Sequence, residues 1–178
     1  MSGYLEIIIG CMWSGKSTRL LNIYEQLIKR GENPIIINHK MIKNESSTLT
    51  THDDKKIKCI FLDQLYNRYI PPDIKYILIN EGQFFPDLVQ FVSLMVDIHK
   101  KKVIVCGLDS DFQRNKFGVI LDLIPLCDKV TKLKGKCNDC NNESIFSYRL
   151  SEEEEQVVIG SNNYIPLCRN CYLIRNNR

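Results

Sequence analysis

The chain has 178 residues, 44% of them hydrophobic, with 24 basic against 21 acidic side chains and a net charge of +3. That length buries one real core with room for a small appendage, and so mild a charge makes no case for a nucleic-acid or membrane partner. The lack of any apolar run of about 18 residues argues against a transmembrane helix, and the segment MSGYLEIIIGC lacks a basic stretch followed by a long apolar one.

Along the chain, YLEIII is rich in β-branched residues and predicts a strand, and KSTRLLNIYEQLIKR carries leucine and isoleucine at helical spacing. PIIIN predicts a second strand after Gly31. The polar segment HKMIKNESSTLTTHDDKK has little apolar periodicity and reads as a mobile loop. IKCIFL, YILIN and KKVIVCGLD read as short buried strands. Between the last two, a helix is expected to carry Leu88, Phe91, Val92, Met95 and Ile98 on one face, with Pro86 near its start. The alternation predicts an α/β fold, a parallel sheet flanked by helices. The pattern changes near Lys134, which divides the chain into an α/β nucleotide-binding domain, 1–134, and a small C-terminal domain, 135–178.

GCMWSGKS, formed by Gly10, Cys11, Met12, Trp13, Ser14, Gly15, Lys16 and Ser17, fits the phosphate-loop pattern GxxxxGK[ST], set between a strand and a helix as the motif requires. Its backbone N–H groups turn inward around phosphates and the helix N-terminus adds a favourable dipole. Lys16 is expected to reach the β- and γ-phosphates of a nucleoside triphosphate, and Ser17 to offer its hydroxyl to Mg2+. The motif alone leaves kinase, ATPase and switch open.

Glu81 lies just past an apolar strand, where ligands sit in such sheets, and is placed to take a proton from an attacking hydroxyl. Were the nucleophile water, the same residue would make an ATPase; the bland alternative is a solvated glutamate at a turn. Asp109 ends the next strand, a second candidate near the phosphates. Arg114 follows, either neutralising a transferred phosphoryl group or pairing with a surface carboxylate.

The eight cysteines are too few for a disulfide scaffold. Two CxxC pairs, Cys137 with Cys140 and Cys168 with Cys171, make a four-thiolate set suited to structural Zn2+, with redox chemistry as the weaker alternative. Cys11, Cys59, Cys106 and Cys127 read as small buried residues. A reducing compartment, most simply the cytoplasm, fits this usage. From Gly135 onward, Lys136, Arg149, Arg169, Arg175 and Arg178 face Asp139, Glu143 and Glu152 to Glu155, five basic against six acidic, a poor footprint for nucleic acid.

Together, GCMWSGKST, NEGQFFPDLVQF, VIVCGLDSDFQRNKFG and the paired CxxC motifs resemble the type II thymidine kinases over nearly the whole chain. The resemblance implies transfer of the ATP γ-phosphate to the 5′-hydroxyl of thymidine, with Glu81 as general base. It also implies that SYRLSEEEEQVVIGSNNY closes over the nucleoside as a lasso-like loop between the zinc knuckles. Met12, Phe84, Leu108, Phe112, Phe117, Ser147, Val158 and Tyr164 match the nucleoside pocket, and Arg149 the arginine at the start of the closing loop. Asn80, Asp109, Gln113 and Arg114 match the cofactor side. A homotetramer, or a dimer, is implied with thymidine as partner.

The chain departs from the family pattern at several points. Cys11 stands where proline is usual, Ser147 where threonine borders the methyl pocket, and HKMIKNESS lacks an acidic-and-arginine element, although THD matches. Asn80 replaces the aspartate before the catalytic glutamate, which removes a unit charge near the metal and makes a catalytically weakened regulatory paralogue the alternative. On this reading Asn80→Asp lowers the Mg2+ requirement. An ATPase whose zinc module acts on nucleic acid is a third possibility, not favoured by the acidic tail.

Overall fold

The computed structural model describes residues 2–42, 48–50, 56–66, 68–158 and 160–177. Strand β1 (Tyr4–Gly10) is buried from Leu5 onward and feeds helix α1 (Lys16–Lys29), which returns the chain to β2 (Ile35–His39). In place of a structureless loop, the polar segment forms a short antiparallel pair, β3 (Thr48–Thr50) with β4 (Lys56–Lys58). Residues 43–47 and 51–55, which include the THD stretch, lie outside the described residues. IKCIFL is two strands rather than one: its first half joins that pair, and β5 (Ile60–Leu62) joins the main sheet beside β2.

Next come β6 (Tyr76–Ile79), helix α2 (Leu88–Ser93) and β7 (Lys102–Gly107). Helix α2 ends in a π turn, Leu94–Ile98, closed by a hydrogen bond from His99 N to the Leu94 carbonyl at 3.1 Å. The extra residue per turn rotates the expected apolar face out of register. Leu88, Phe91, Val92 and Met95 are buried as expected, whereas Ile98 is 68% exposed.

A 3-10 segment, Ile120–Leu126, leads to β8 (Lys129–Leu133). The six-stranded sheet has the order β5-β2-β6-β7-β1-β8, and every pair in it is parallel. Period-two alternation divides its side chains between two cores. Ile7, Ile37, Ile79 and Val105 pack with Phe85, Leu88 and Phe91, while Ile8, Ile36, Leu78 and Ile104 pack with Leu20, Leu21 and Leu27 of α1. Because the strands are parallel, Gly10, Ile79 and Gly107 all end at one edge, and the loops that leave them share one crevice.

Beyond Leu133 the chain changes to short antiparallel pieces. These are β9 (Gly135–Lys136) with β10 (Glu143–Ser144), and β11 (Phe146–Arg149) with β12 (Tyr164–Leu167), followed by α3 (Arg169–Asn176). Their core is a separate small cluster of Cys137, Leu167, Cys168, Cys171 and Tyr172.

Candidate active site

The phosphate loop turns into α1 through Gly15, whose φ of 81° is left-handed backbone that favours glycine. Lys16 is 7% exposed, and its Nζ donates to the Cys11 carbonyl at 2.6 Å, curled back over the loop it is expected to serve. The loop is stitched to the C-terminal elements. Met12 N donates to Ser147 Oγ at 2.9 Å, Trp13 Nε1 to the Tyr164 carbonyl at 3.0 Å, and the Cys11 thiol lies 3.6 Å from Ser144 Oγ. Ser147, matched to the methyl pocket, thus spends its hydroxyl as an acceptor for the loop backbone while its side chain borders the cavity.

Asn80 and Glu81 leave β6 in different directions, because Glu81 adopts φ 54°. Asn80 is 2% exposed and faces the loop: its Oδ1 accepts from Ser17 Oγ at 3.1 Å and from Cys106 Sγ at 3.0 Å. Burial pushes the Cys106 thiol up to about 12, so it stays protonated and can donate. Asn80 Nδ2 in turn donates to Asn38 Oδ1 at 3.3 Å.

Glu81 is fixed by Gln83, a residue that no motif singled out. Gln83 Nε2 donates to Glu81 Oε2 at 2.6 Å, and its Oε1 accepts from Leu108 N at 3.0 Å. Two glycines make room for it. A Cβ at Gly107 would sit 2.3 Å from Gln83 Oε1, and one at Gly118, where φ is 59°, would sit 2.0 Å from the Gln83 carbonyl oxygen.

Two cavities meet at this point. One is lined by Met12, Trp13, Gly15, Lys16, Ser17, Thr18 and Glu81. The other is apolar, and Phe84, Leu108, Phe112, Phe117, Val158 and Tyr164 line it together with Met12, Ser147 and Glu81. Glu81 and Met12 border both. Phe84 and Phe117 meet edge to face at 5.5 Å, giving the flat wall a planar ligand needs.

Arg149 is not among the lining residues; it holds the segment that covers the cavity. At 5% exposure, it donates to the carbonyls of Glu153, Glu155 and Gln156 and to Tyr164 Oη, with its guanidinium 3.8 Å from the centre of the Phe112 ring. A second tie, also missed in the sequence, runs from Gln156 Nε2 to Asp111 Oδ2 at 2.8 Å. Arg149→Met is expected to raise several-fold the rate at which a glutamate-specific protease cuts the Glu152–Glu155 run, with the sheet's unfolding transition kept. Unchanged cleavage would show that this arginine does not hold the segment.

The residues matched to the cofactor side have these contacts. Asp109 pairs with Lys132 at 2.7 Å, and Gln113 Oε1 accepts from Asn115 Nδ2 at 3.3 Å. Arg114, at φ 71°, aims its guanidinium over Tyr172, 4.9 Å from the ring centre, joining the two parts of the chain. Cys11, Cys59 and Cys106 are buried as expected, whereas Cys127 is only half-buried.

The Sγ atoms of Cys137, Cys140, Cys168 and Cys171 all lie within 4.8 Å of one another. Tetrahedral zinc with Zn–S near 2.3 Å sets thiolates about 3.8 Å apart, and Cys140 and Cys168 are 3.6 Å apart. Cys171 N points at Cys168 Sγ at 3.5 Å, as knuckle backbones do when they support a thiolate. This donor set fits Zn2+.

Comparison with known proteins agrees with this geometry. A family model described as thymidine kinase matches residues 3–172. A thymidine kinase of sheeppox virus (strain KS-1) is 37% identical over 176 residues, 97% of this chain and 98% of that one. A thymidine kinase of vaccinia virus (strain Western Reserve) is 39% identical over 173 residues, 96% of this chain and 97% of the other. The cytosolic thymidine kinase of Homo sapiens is 36% identical over 175 residues, 96% of this chain and 73% of its own length.

Proposed function

The chain belongs to the thymidine kinase family, and on that premise we propose that it transfers the γ-phosphate of ATP to the 5′-hydroxyl of thymidine, with Glu81 as the base. The observation that carries the reading is the position of Glu81, on the border between the phosphate-loop cavity and the apolar cavity. A nucleoside seated among Phe84, Phe117 and Tyr164 presents its sugar to that border, and a phosphate chain held by the loop reaches it from the other side. Nothing favours the weakened paralogue.

Each residue's task follows from its contacts. Gln83 donates to Oε2 of Glu81, which orients the carboxylate toward the hydroxyl whose proton it is to accept. Lys16 exchanges the Cys11 carbonyl for phosphate oxygens, giving up a neutral acceptor for anionic ones. Arg149 holds the closing segment over the apolar cavity, which excludes water as a competing nucleophile. Asp109, Gln113 and Arg114 are proposed for the cofactor side, as the family resemblance implies.

Ser17 Oγ and Asn80 Oδ1, 3.1 Å apart, form a small neutral oxygen set of the kind that suits Mg2+ bound mostly by phosphates and water. When bound, that ion neutralises charge on the phosphates. Zn2+ on the four cysteines would be structural, since it leaves no open position.

The division into 1–134 and 135–178 is proposed on the end of the large sheet at Leu133 and the separate cluster about Tyr172. A homotetramer or dimer is proposed through the α/β domain, where β8 leaves an open edge with Val130 44% exposed. Cytoplasmic location is proposed from the family; no helix among the described residues is long and apolar enough to cross a membrane. The deciding assay incubates purified protein with thymidine, ATP and Mg2+. Monophosphate formation is expected, and its absence at high enzyme and high Mg2+ would sink the reading.

A further inference from the structure

We propose that Asn38 is a positioning residue of the metal side of this site, and that it commits position 80 to an amide. Asn38 sits near the end of β2, beside β6, and is 3% exposed. Its Oδ1 is pinned by His39 N at 3.0 Å and receives Asn80 Nδ2 at 3.3 Å. With the nitrogen of Asn80 so engaged, its oxygen can only face the other way, toward Ser17 Oγ and Cys106 Sγ. The result is one directed chain, Ser17 and Cys106 to Asn80 to Asn38, in which the amide at position 80 is needed as donor and acceptor at once.

A carboxylate at position 80 has no proton to give Asn38 Oδ1. Two oxygens would then face each other at hydrogen-bonding distance in a buried site. Turning the Asn38 amide over relieves that contact but sets its NH2 against the His39 N–H, leaving one of them without an acceptor. The charge an aspartate would add near the metal is therefore offset by a broken pair. This changes the expectation from sequence that Asn80→Asp lowers the Mg2+ requirement: with Asn38 in place, the gain is suppressed.

The inference rests on the thymidine kinase reading for its activity arm alone. The test is a cycle of four proteins: wild type, Asn38→Leu, Asn80→Asp and the double variant. Melting temperatures are measured without ligand, and half-saturating Mg2+ in monophosphate formation. Asn38→Leu is expected to lower the melting temperature of the wild type and raise the Mg2+ requirement about tenfold, without moving the thymidine KM. In the Asn80→Asp background the same substitution is expected to raise the melting temperature and lower the Mg2+ requirement, because it removes the opposing oxygen.

Shifts of equal sign and size in both backgrounds would overturn the proposal. If Asn38→Leu does not fold, Asn38→Thr, whose hydroxyl stops short of position 80, is expected to give the same pattern of signs, and additivity there would overturn it too. An inactive wild type would defeat the kinase reading, while the melting cycle would still judge the pair.

Discussion

Replacing Glu81 by glutamine is expected to cut thymidine monophosphate formation by about 10²- to 10⁴-fold while leaving ATP affinity within about twofold. The change is close to isosteric, and the amide oxygen can still accept from Gln83 Nε2, which stands 2.6 Å from the present carboxylate. Left-handed backbone at position 81, with φ 54°, is held by the strand before it and the tight turn after it, so the variant keeps its shape. What is lost is the capacity to take a proton as the hydroxyl attacks. Single-turnover rates at saturating thymidine, with nucleotide affinity measured separately, isolate that loss from binding. Near-normal turnover would remove Glu81 as the base.

Stripping the metal from the four cysteines, or substituting Cys171→Ser, is expected to weaken thymidine binding by on the order of 100-fold or more. The C-terminal core consists of Leu167, Tyr172 and three of the cysteines themselves, with Phe146, Tyr148 and Ile165 packed against it. So small a cluster does not order a segment without a cross-link or a metal. Ser147 and Tyr164 lie on its strands β11 and β12, and both border the apolar cavity; Arg149 ends β11 and holds the covering segment. Loss of the metal frees both strands, and with them one wall and the cover, while the six-stranded sheet keeps its own cores. Metal content by native mass spectrometry, thymidine calorimetry and circular dichroism together test this. Undiminished thymidine binding by metal-free protein would separate the cysteines from substrate capture.

The fold was legible wherever the signal was local. Runs such as YLEIII and KKVIVCG are β-branched and buried on both faces, and the phosphate loop lies between a strand and a helix that are both present. Ile98 was misplaced because a π turn cannot be read from periodicity that assumes 3.6 residues per turn. The residues expected to line the nucleoside pocket do gather around one cavity. The contact of Arg114 with Tyr172 could not be read in the same way, because it depends on a positive φ at Arg114 and joins residues far apart in the chain. Asn38 and Gln83 passed unnoticed for a similar reason. Asn38 meets Asn80 from 42 residues away, and Gln83 meets Leu108 across 25, and no spacing rule links partners so far apart in the chain.

Gly107 and Gly118 take no part in the chemistry, yet neither has room for a side chain beside Gln83, one facing its side-chain oxygen and one its carbonyl. In a survey of random substitutions they would be scored among the inactivating positions, beside Glu81 itself. A change at either pushes the glutamine, the glutamine releases the carboxylate, and the phenotype is that of a missing base in a protein whose every functional group is intact.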